Sequence, residues 1–217
     1  MKKLFLSLSI VMLSLGFAGN SFAYIMDGDL RDWGVTPFTD WAPGGTADYV
    51  EEDDWNRQPE SDSFREYYDL EAMYFDDDEN YLYFAIVTSN KYQHNWASED
   101  LGFDVDGDGN LEFGADLANL GDGASSKGFY SVDRWYFMRG VEYRIRNGQK
   151  LGNYSVYKKY YRHMEDGTYI LEGKISRSLF GDIPCQQMIR LQFAQITCLK
   201  DWIDLNACAN GTCPGPN

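Results

Sequence analysis

Short runs of alternating apolar and polar residues, separated by turn residues, constrain the fold of this chain most strongly. In residues 68–75 the alternation places Leu70, Ala72 and Tyr74 on one face of a predicted strand. An acidic turn separates this run from residues 81–88, which are rich in aromatic and β-branched side chains. Such side chains favour a pleated, half-buried surface. The two runs therefore predict an antiparallel hairpin with an acidic tip.

The same pattern continues in the second half of the chain as a predicted meander over residues 135–176. Within it, Asn147 followed by Gly148 is typical of a two-residue hairpin turn. A last strand is predicted at residues 189–197, and only residues 176–180 suggest a helical turn. Many short strands with turns between them predict an all-β fold, specifically an antiparallel, jelly-roll-like β-sandwich with short helical turns at most.

Residues 1–23 have the features of a secretory signal peptide. Two lysines precede an apolar run over residues 4–17, and small residues then lead to a predicted cleavage site after Ala23. The run is shorter than the roughly 20 apolar residues of a membrane span. Cleavage leaves one predicted β-sandwich domain, residues 24–217, which we expect to be secreted, periplasmic or extracellular and without a membrane span.

Four cysteines lie in the C-terminal segment, residues 185–217, and an exported chain meets an environment in which disulfides persist. They are Cys185, Cys198, Cys208 and Cys213. Four cysteines allow three pairings, of which we favour Cys208 with Cys213 and Cys185 with Cys198, while the other two stay open. A zinc site is the alternative, but the spacings do not match paired Cys-x2-Cys motifs.

The chain is strongly acidic, with 34 acidic and 19 basic residues and a formal charge of −15. Without the two lysines of the leader, 17 basic and 34 acidic residues remain, a charge of −17. Such a charge repels phosphate backbones and argues against nucleic-acid binding by counterion release. Ten basic residues and only four acidic ones lie between Arg134 and Arg177. Cations or neutral molecules are therefore the better candidate ligands.

The sharpest chemical signal is a run of aspartates at spacing two that matches the opening of calcium-binding loops. Asp104, Asp106 and Asp108 are followed by Gly109, which permits a sharp bend, and by Asn110, whose carbonyl occupies the seventh position. Alternate residues of such a loop turn their oxygens toward one centre. Hard oxygen ligands of this kind favour Ca²⁺ over softer metals, so the motif predicts a calcium site.

The closing ligand of this loop is open, because Ala115 occupies the twelfth position, where a bidentate glutamate is expected. Either Glu112 or Asp116 completes the shell locally, or Glu71 arrives from a neighbouring strand. The alternative is a turn of aspartates and glycines that needs no metal. Three crowded carboxylates repel one another unless a cation neutralises them, which favours the metal.

Four tryptophans fall in segments predicted as loops or loop edges, where an indole ring can stack on the apolar face of a sugar. They are Trp33, Trp41, Trp55 and Trp96, of which Trp33, Trp41 and Trp96 are the candidate sugar-binding residues. The alternative, and the commoner role of such large side chains, is to fill the core or cover its ends. The sequence has no Gly-x-Ser-x-Gly nucleophile motif and no phosphate-binding glycine loop. We therefore assign no catalytic residue and interpret the chain as a binding protein.

Several segments, taken in order, resemble bacterial secreted domains similar to family 9 carbohydrate-binding modules, within the DOMON-like sandwich group. Residues 27–33 resemble the opening strand of these domains, residues 68–83 their central hairpin, residues 104–112 their acidic loop and residues 171–175 a later strand. The resemblance implies a β-sandwich with bound calcium. In the members that bind sugar, it also implies tryptophans that hold a glycan.

Together these features predict a secreted, calcium-binding β-sandwich that binds without catalysis, with carbohydrate or a cell-envelope glycan as its partner. The alternative function is a calcium-dependent subunit of a surface assembly. In that case the basic meander of one copy would pair with the acidic remainder of another, and the protein would self-associate.

Overall fold

The computed structural model describes residues 24–36, 41–45, 47–51, 70–89, 99–138, 140–163, 166–181, 183, 187–195 and 201–209. Within them the chain forms ten β-strands and one 3₁₀ turn, Arg177–Phe180, where the sequence predicts a helical turn. The strands are β1 (Asp48–Glu51), β2 (Leu70–Asp77), β3 (Tyr81–Thr88), β4 (Asp100–Asp104), β5 (Phe113–Asp116), β6 (Gly123–Met138), β7 (Val141–His163), β8 (Asp166–Ser176), β9 (Met188–Gln195) and β10 (Asp201–Cys208). All neighbouring strands pair antiparallel. The predicted all-β antiparallel organisation is therefore confirmed.

The ten strands form one sheet in the order β1-β2-β3-β8-β7-β6-β5-β4-β9-β10, whereas the sequence predicts two sheets. The sheet is strongly curved, so that β10 at one end contacts β1 and β2 at the other. At this approach the backbone N–H of Cys208 donates to Asp48 Oδ2 at 2.8 Å. The sheet therefore closes nearly completely around its inner face.

The inner face of the sheet holds the main hydrophobic core. At its centre the ring centroid of Phe129 lies 4.5 Å from that of Phe180 and 6.0 Å from that of Phe103. Phe84 of β3 and Leu191 of β9, from opposite halves of the sheet, belong to the same core. Burying one such side chain contributes roughly 1.5–3 kcal/mol. Packing between the two halves therefore stabilises the curvature of the sheet.

A second core lies on the outer face of β2, β3 and β8, beneath residues 24–36, which we call the N-terminal segment. Leu30, Trp33 and Val35 are buried there against Tyr74 and its neighbours. The segment is built of turns, because the N–H groups of Trp33 and Val35 both donate to the carbonyl of Leu30, at 3.0 and 3.1 Å. The opening strand implied by the resemblance is therefore wrong. Consecutive turns bring three apolar side chains onto one surface.

The β2–β3 hairpin is confirmed, but the predicted faces of β2 are partly wrong. Its pairing with β3 shifts register between Leu70 and Ala72, and such an irregularity moves the following residues to the other face. Leu70 therefore lies in the inner core with Met73 and Phe75, while Ala72 and Tyr74 lie in the outer core.

The far end of the β6–β7 hairpin, residues 135–138 and 140–147, covers another part of the outer face, and we call it the arm. Shifts in the pairing of β6 with β7 bend the hairpin, and β7 contacts β4, β5 and β9, which are not its neighbours in the sheet. The N–H of Ile145 donates to Asp100 Oδ2 at 2.8 Å. The bend thus brings the arm over the outer face of β4 and β5.

Asn147 and Gly148 lie at this bend and not in a hairpin turn, which corrects the prediction. Both pair with β6 inside the ladder, and the chain turns near Gly140, whose φ is 100°. Glycine is required at position 148 by the close approach of the two strands, since a Cβ there would lie 2.4 Å from the carbonyl oxygen of Ser131. The glycine allows two backbones to approach closely where the hairpin bends.

Substitution of this glycine tests the bend. We expect Gly148→Ala to lower the free energy of unfolding by about 2 kcal/mol, because the added Cβ forces the two backbones apart. Gly121→Ala is the matched control, since a Cβ at that position meets no atom within 4 Å. Urea denaturation should show the control within about 0.5 kcal/mol of the wild type. Equal stability of the two variants would contradict the close approach.

Several predictions fall outside the described residues. Residues 1–23 lie there, as do Cys185, Cys198 and Cys213, so the signal peptide and the disulfide pairing stay predictions. Cys208 ends β10 and is described. Within the described part of the chain, no helix is long and apolar enough to cross a membrane.

Candidate metal site

The loop between β4 and β5 brings four carboxylates together. Asp104 ends β4 and is 3% exposed, Asp106 and Asp108 are exposed in the loop, and the partly buried Glu112 directly precedes β5. Each offers an oxygen, and these oxygens all lie within 4.8 Å of one another. The local part of the predicted ligand set is therefore assembled by the fold.

Asp104 organises the first half of the loop. Its Oδ1 accepts the N–H of Gly107 at 2.7 Å, and its Oδ2 accepts the N–H of Gly109 at 3.0 Å. Both glycines have positive φ, 77° and 95°, a conformation that costs glycine little. The two glycines let the chain wrap around one buried carboxylate.

The second half of the loop is held by its own side chains. Asp108 accepts hydrogen bonds from the backbone N–H and the side-chain amide of Asn110, both at 2.8 Å, and these bonds lower the pKa of Asp108. Glu112 Oε2 accepts the N–H of Val105 at 2.9 Å. Burial raises the pKa of Glu112, and the negative charges of Asp106 and Asp104 raise it further. The cluster is thus an environment that disfavours additional negative charge.

The base of the loop is fixed to the β6–β7 hairpin. The carbonyl of Leu111 accepts the indole N–H of Trp135 at 2.8 Å, and the carbonyl of Glu112 accepts the N–H of Val132 at 2.8 Å. Leu111 is buried, and a Cβ on Gly102 would lie 2.5 Å from it. These contacts connect the position of the loop to the position of the arm.

One fixed positive charge borders the cluster. Arg190 on β9 pairs across the strands with Asp104, and its Nε lies 3.8 Å from Asp104 Oδ2. Its Nη2 donates to the carbonyl of Gly109 at 2.9 Å, while its buried Nε has no hydrogen-bond partner among the described residues. Arg190 offsets only part of the charge of four carboxylates. The cluster could therefore hold a metal ion.

The two more distant predicted ligands are not in this cluster. Asp116 pairs with Asp100 at the opposite end of the β4–β5 hairpin from Asp104, and four residues of strand span about 13 Å. Glu71 lies on β2, whose neighbours in the sheet are β1 and β3. Sequence proximity does not bring Asp116 to the loop, because the strand carries it away.

The predicted sugar-binding tryptophans have different environments. Trp33 is 1% exposed, its ring centroid lies 3.9 Å from that of Tyr24, and it belongs to the outer core. Its indole faces are therefore packed against protein. Trp41 is partly buried, and its carbonyl accepts the hydroxyl of Tyr74 at 2.5 Å. Trp96 lies outside the described residues.

The acidic tip of the β2–β3 hairpin is used by the turn itself. Asp78 Oδ1 accepts the N–H groups of Asn80 and Tyr81 at 2.7 and 2.8 Å, and Asp78 Oδ2 accepts the hydroxyl of Tyr83 at 2.7 Å. Asp77 forms an ion pair with Arg177. These bonds give Asp77 and Asp78 a structural role in the hairpin that needs no metal.

Two buried carboxylates are functional candidates that the sequence interpretation missed. Glu172 on β8 is 0% exposed and Asp100 on β4 is 5% exposed. Burial raises the pKa of each to about 7. The available signal for Glu172 was an acidic residue next to Ile170 and Leu171 inside a run that returns to Ile175. A charged residue in a buried strand requires hydrogen-bond donors, and for Glu172 the N-terminal segment supplies them on the outer face of the sheet.

Comparison of the chain with family models, curated proteins and solved structures found no match. The resemblance to family 9 carbohydrate-binding modules thus stays a prediction.

Proposed function

We propose that this protein is a secreted, calcium-binding all-β domain that acts by binding and not by catalysis. The observation that carries the proposal is the convergence of four carboxylates from one loop. Like charges at this separation repel one another unless a cation lies between them. Carboxylate and carbonyl oxygens are ligands for Ca²⁺ and Mg²⁺, and an irregular loop suits the larger ion, which does not require strict octahedral geometry. Calcium is therefore the proposed ion.

Calcium at this loop would act on more than the loop. The carbonyls of Leu111 and Glu112, next to the cluster, accept hydrogen bonds from the β6–β7 hairpin. Neutralising the carboxylates removes repulsion within the loop and stabilises the conformation that makes these bonds. We therefore assign calcium a structural role that holds the loop and the arm in position.

Calcium added to chelator-treated protein should raise the thermal midpoint. At a concentration about one hundred times the dissociation constant, binding stabilises the native state by about 2.7 kcal/mol. For a domain of this size such a change raises the midpoint by about 8 °C. Differential scanning calorimetry measures the shift, and an unchanged midpoint at millimolar calcium would contradict the proposal.

Variants separate the site from general charge effects. Asp106→Asn removes one exposed carboxylate of the cluster and should reduce the calcium-induced shift by at least half. Asp122→Asn is the matched control, because Asp122 is exposed and is not among the grouped carboxylates. The control should keep the full shift. An equal reduction in both variants would indicate a nonspecific effect of net charge.

Carbohydrate is the proposed partner of this calcium-stabilised domain, in line with the resemblance to family 9 carbohydrate-binding modules. Of the predicted sugar-binding tryptophans, Trp33 is buried in the outer core and Trp41 is partly buried against the same core. We also propose that the two halves of the curved sheet correspond to the two layers of the predicted sandwich, since side chains from both halves share the inner core. A glycan array with calcium present tests the partner.

A calcium-dependent assembly subunit is the second candidate. The observation in its favour is the exposure of Phe137, 67%, and Tyr136, 42%, at the end of β6 in the arm. Exposed aromatic side chains of this size are enriched in protein interfaces. Size-exclusion chromatography with and without calcium distinguishes the two functions, because a binding module stays monomeric while an assembly subunit forms calcium-dependent oligomers.

A further inference from the structure

A pocket of about 330 Å³ lies where the arm bends over the outer face of β4, β5 and β6. It is separate from the carboxylate cluster, because it lies at the Asp100 end of the β4–β5 hairpin, away from Asp104. Its polar lining comes from both sides of the bend, namely from Asp100, Asp116 and Tyr130 on the sheet and Arg144, Arg146 and Asn147 on the arm. Bulges commonly redirect side chains beside binding sites.

The carboxyl groups form a rigid wall of the pocket. Both oxygens of Asp100 accept backbone hydrogen bonds, from Leu117 at 3.1 Å and Ile145 at 2.8 Å. Asp116 Oδ1 accepts the N–H of Ala118 at 2.9 Å, while its Oδ2 has no hydrogen-bond partner among the described residues. Asp100 therefore fixes the arm to the sheet, and Asp116 has an oxygen available to a ligand.

Tyr130 supplies an aromatic surface. A Cβ on Gly128 would lie 2.5 Å from the ring of Tyr130, which shows that the ring lies over the backbone of Gly128 on the same strand. The hydroxyl of Tyr130 has no hydrogen-bond partner in the described part of the chain. A tyrosine ring lying against a strand beside an open pocket suits stacking on the apolar face of a ring-shaped ligand.

The arm supplies hydrogen-bond donors at the rim. Arg144 and Arg146 are exposed and form no hydrogen bond or ion pair with other described residues. The guanidinium carbon of Arg146 lies 5.3 Å from the ring centroid of Tyr136, a contact that fixes its direction. The pocket thus presents donors on one side and carboxylate acceptors on the other.

We propose that this pocket binds one residue of a neutral saccharide. Two guanidinium groups oppose cationic ligands and two carboxyl groups oppose anionic ones, so a neutral molecule meets the least repulsion. Sugar hydroxyls both donate and accept, which matches Asp116 on one wall and Arg144 on the other. The volume lies at the lower end of the range of about 300–1,000 Å³ for ligand pockets. The inference rests on the proposed carbohydrate-binding function and gives it a location.

Saturation-transfer NMR with glucose, galactose, mannose and N-acetylglucosamine tests the proposal, followed by calorimetric titration of the strongest binder. Asp116→Asn and Tyr130→Ala should each weaken the affinity about tenfold, the effect of losing one contact with a charged group or a ring. Asp122→Asn is the matched control, since Asp122 is exposed and lies outside the pocket lining. It should bind like the wild type. Thermal melting verifies that each variant is folded.

The outcomes separate the pocket from the broader function. If a sugar binds and Trp41→Ala abolishes binding while both pocket variants bind normally, the pocket inference is wrong and the carbohydrate function stands. If no neutral sugar binds to the wild type, either in the NMR experiment or on a glycan array, the pocket inference and the carbohydrate function are both wrong. Binding only of glucuronic acid or glucosamine, used as charged probes, would overturn the assignment to neutral sugars.

Discussion

Replacement of Glu172 by alanine is expected to lower the free energy of unfolding by about 4 kcal/mol and the thermal midpoint by about 12 °C. Glu172 Oε2 accepts the backbone N–H groups of Asp27 and Gly28 at 3.0 and 2.5 Å, and its Oε1 accepts the indole N–H of Trp33 at 2.9 Å. Alanine leaves these donors without a partner beneath the N-terminal segment. Each buried, unsatisfied donor costs about 1–3 kcal/mol.

Thermal melting and urea denaturation measure this effect. Glu79→Ala is the matched control, because Glu79 is exposed at the tip of the β2–β3 hairpin and forms no hydrogen bond with other described residues. It should stay within about 0.5 kcal/mol of the wild type. Tryptophan fluorescence supplies a local readout, since Trp33 loses its bond and gains contact with water. A Glu172→Ala midpoint equal to that of the control would refute the role of this side chain.

The sequence predicts the strands whose pattern is local and misses the features that depend on distant partners. Residues 81–88 predict β3 because nearly every side chain in this run favours a strand. In the structure all of these side chains except Tyr81 are buried. Whether the sheet is one or two depends on β4 pairing with β9 and on β10 reaching β1, and each contact joins segments far apart in the chain. No local pattern specifies such pairings.

The candidate metal site follows the same distinction. Asp104, Asp106, Asp108 and Glu112 are close in sequence, and two glycines with positive φ suffice to bring them together. Asp116 follows Glu112 by four residues but lies at the far end of β5, which leads away from the loop. A strand separates residues by about 3.3 Å each, so the position of the strand boundary decided which acidic residues converge.

The buried residues of the N-terminal segment show why side-chain roles were harder to predict. Trp33 lies in a stretch of turns and acidic residues, which indicates an exposed loop when read alone. Its burial requires the outer face of β8 and the carboxylate of Glu172, more than one hundred residues later. A turn segment becomes a core element only when a distant strand supplies both the apolar surface and the hydrogen-bond acceptor.

Stability should decrease as pH rises from about 4 to about 7, because two buried carboxyl groups lose protons in the folded state only near neutral pH. Burial, together with the negative charge of Asp116, raises the pKa of Asp100 to about 7. Burial, together with the negative charge of Asp32, likewise raises the pKa of Glu172 to about 7. Both folded-state pKa values lie above the pKa values of the same groups in the unfolded chain. At a pH between the unfolded and the folded pKa, the native state therefore binds more protons than the unfolded state.

A folded-state pKa raised above the unfolded value makes the neutral form the stable one, and ionisation then opposes folding. Each group contributes about 3 kcal/mol to the difference between pH 4 and pH 8. Urea denaturation in chelator at several pH values measures the slope. Asp100→Asn and Glu172→Gln should each flatten it, because an amide of similar shape does not titrate in this range. Glu79→Gln, the exposed control, should leave it unchanged, and an unaltered slope in both buried-site variants would assign the pH dependence to other groups.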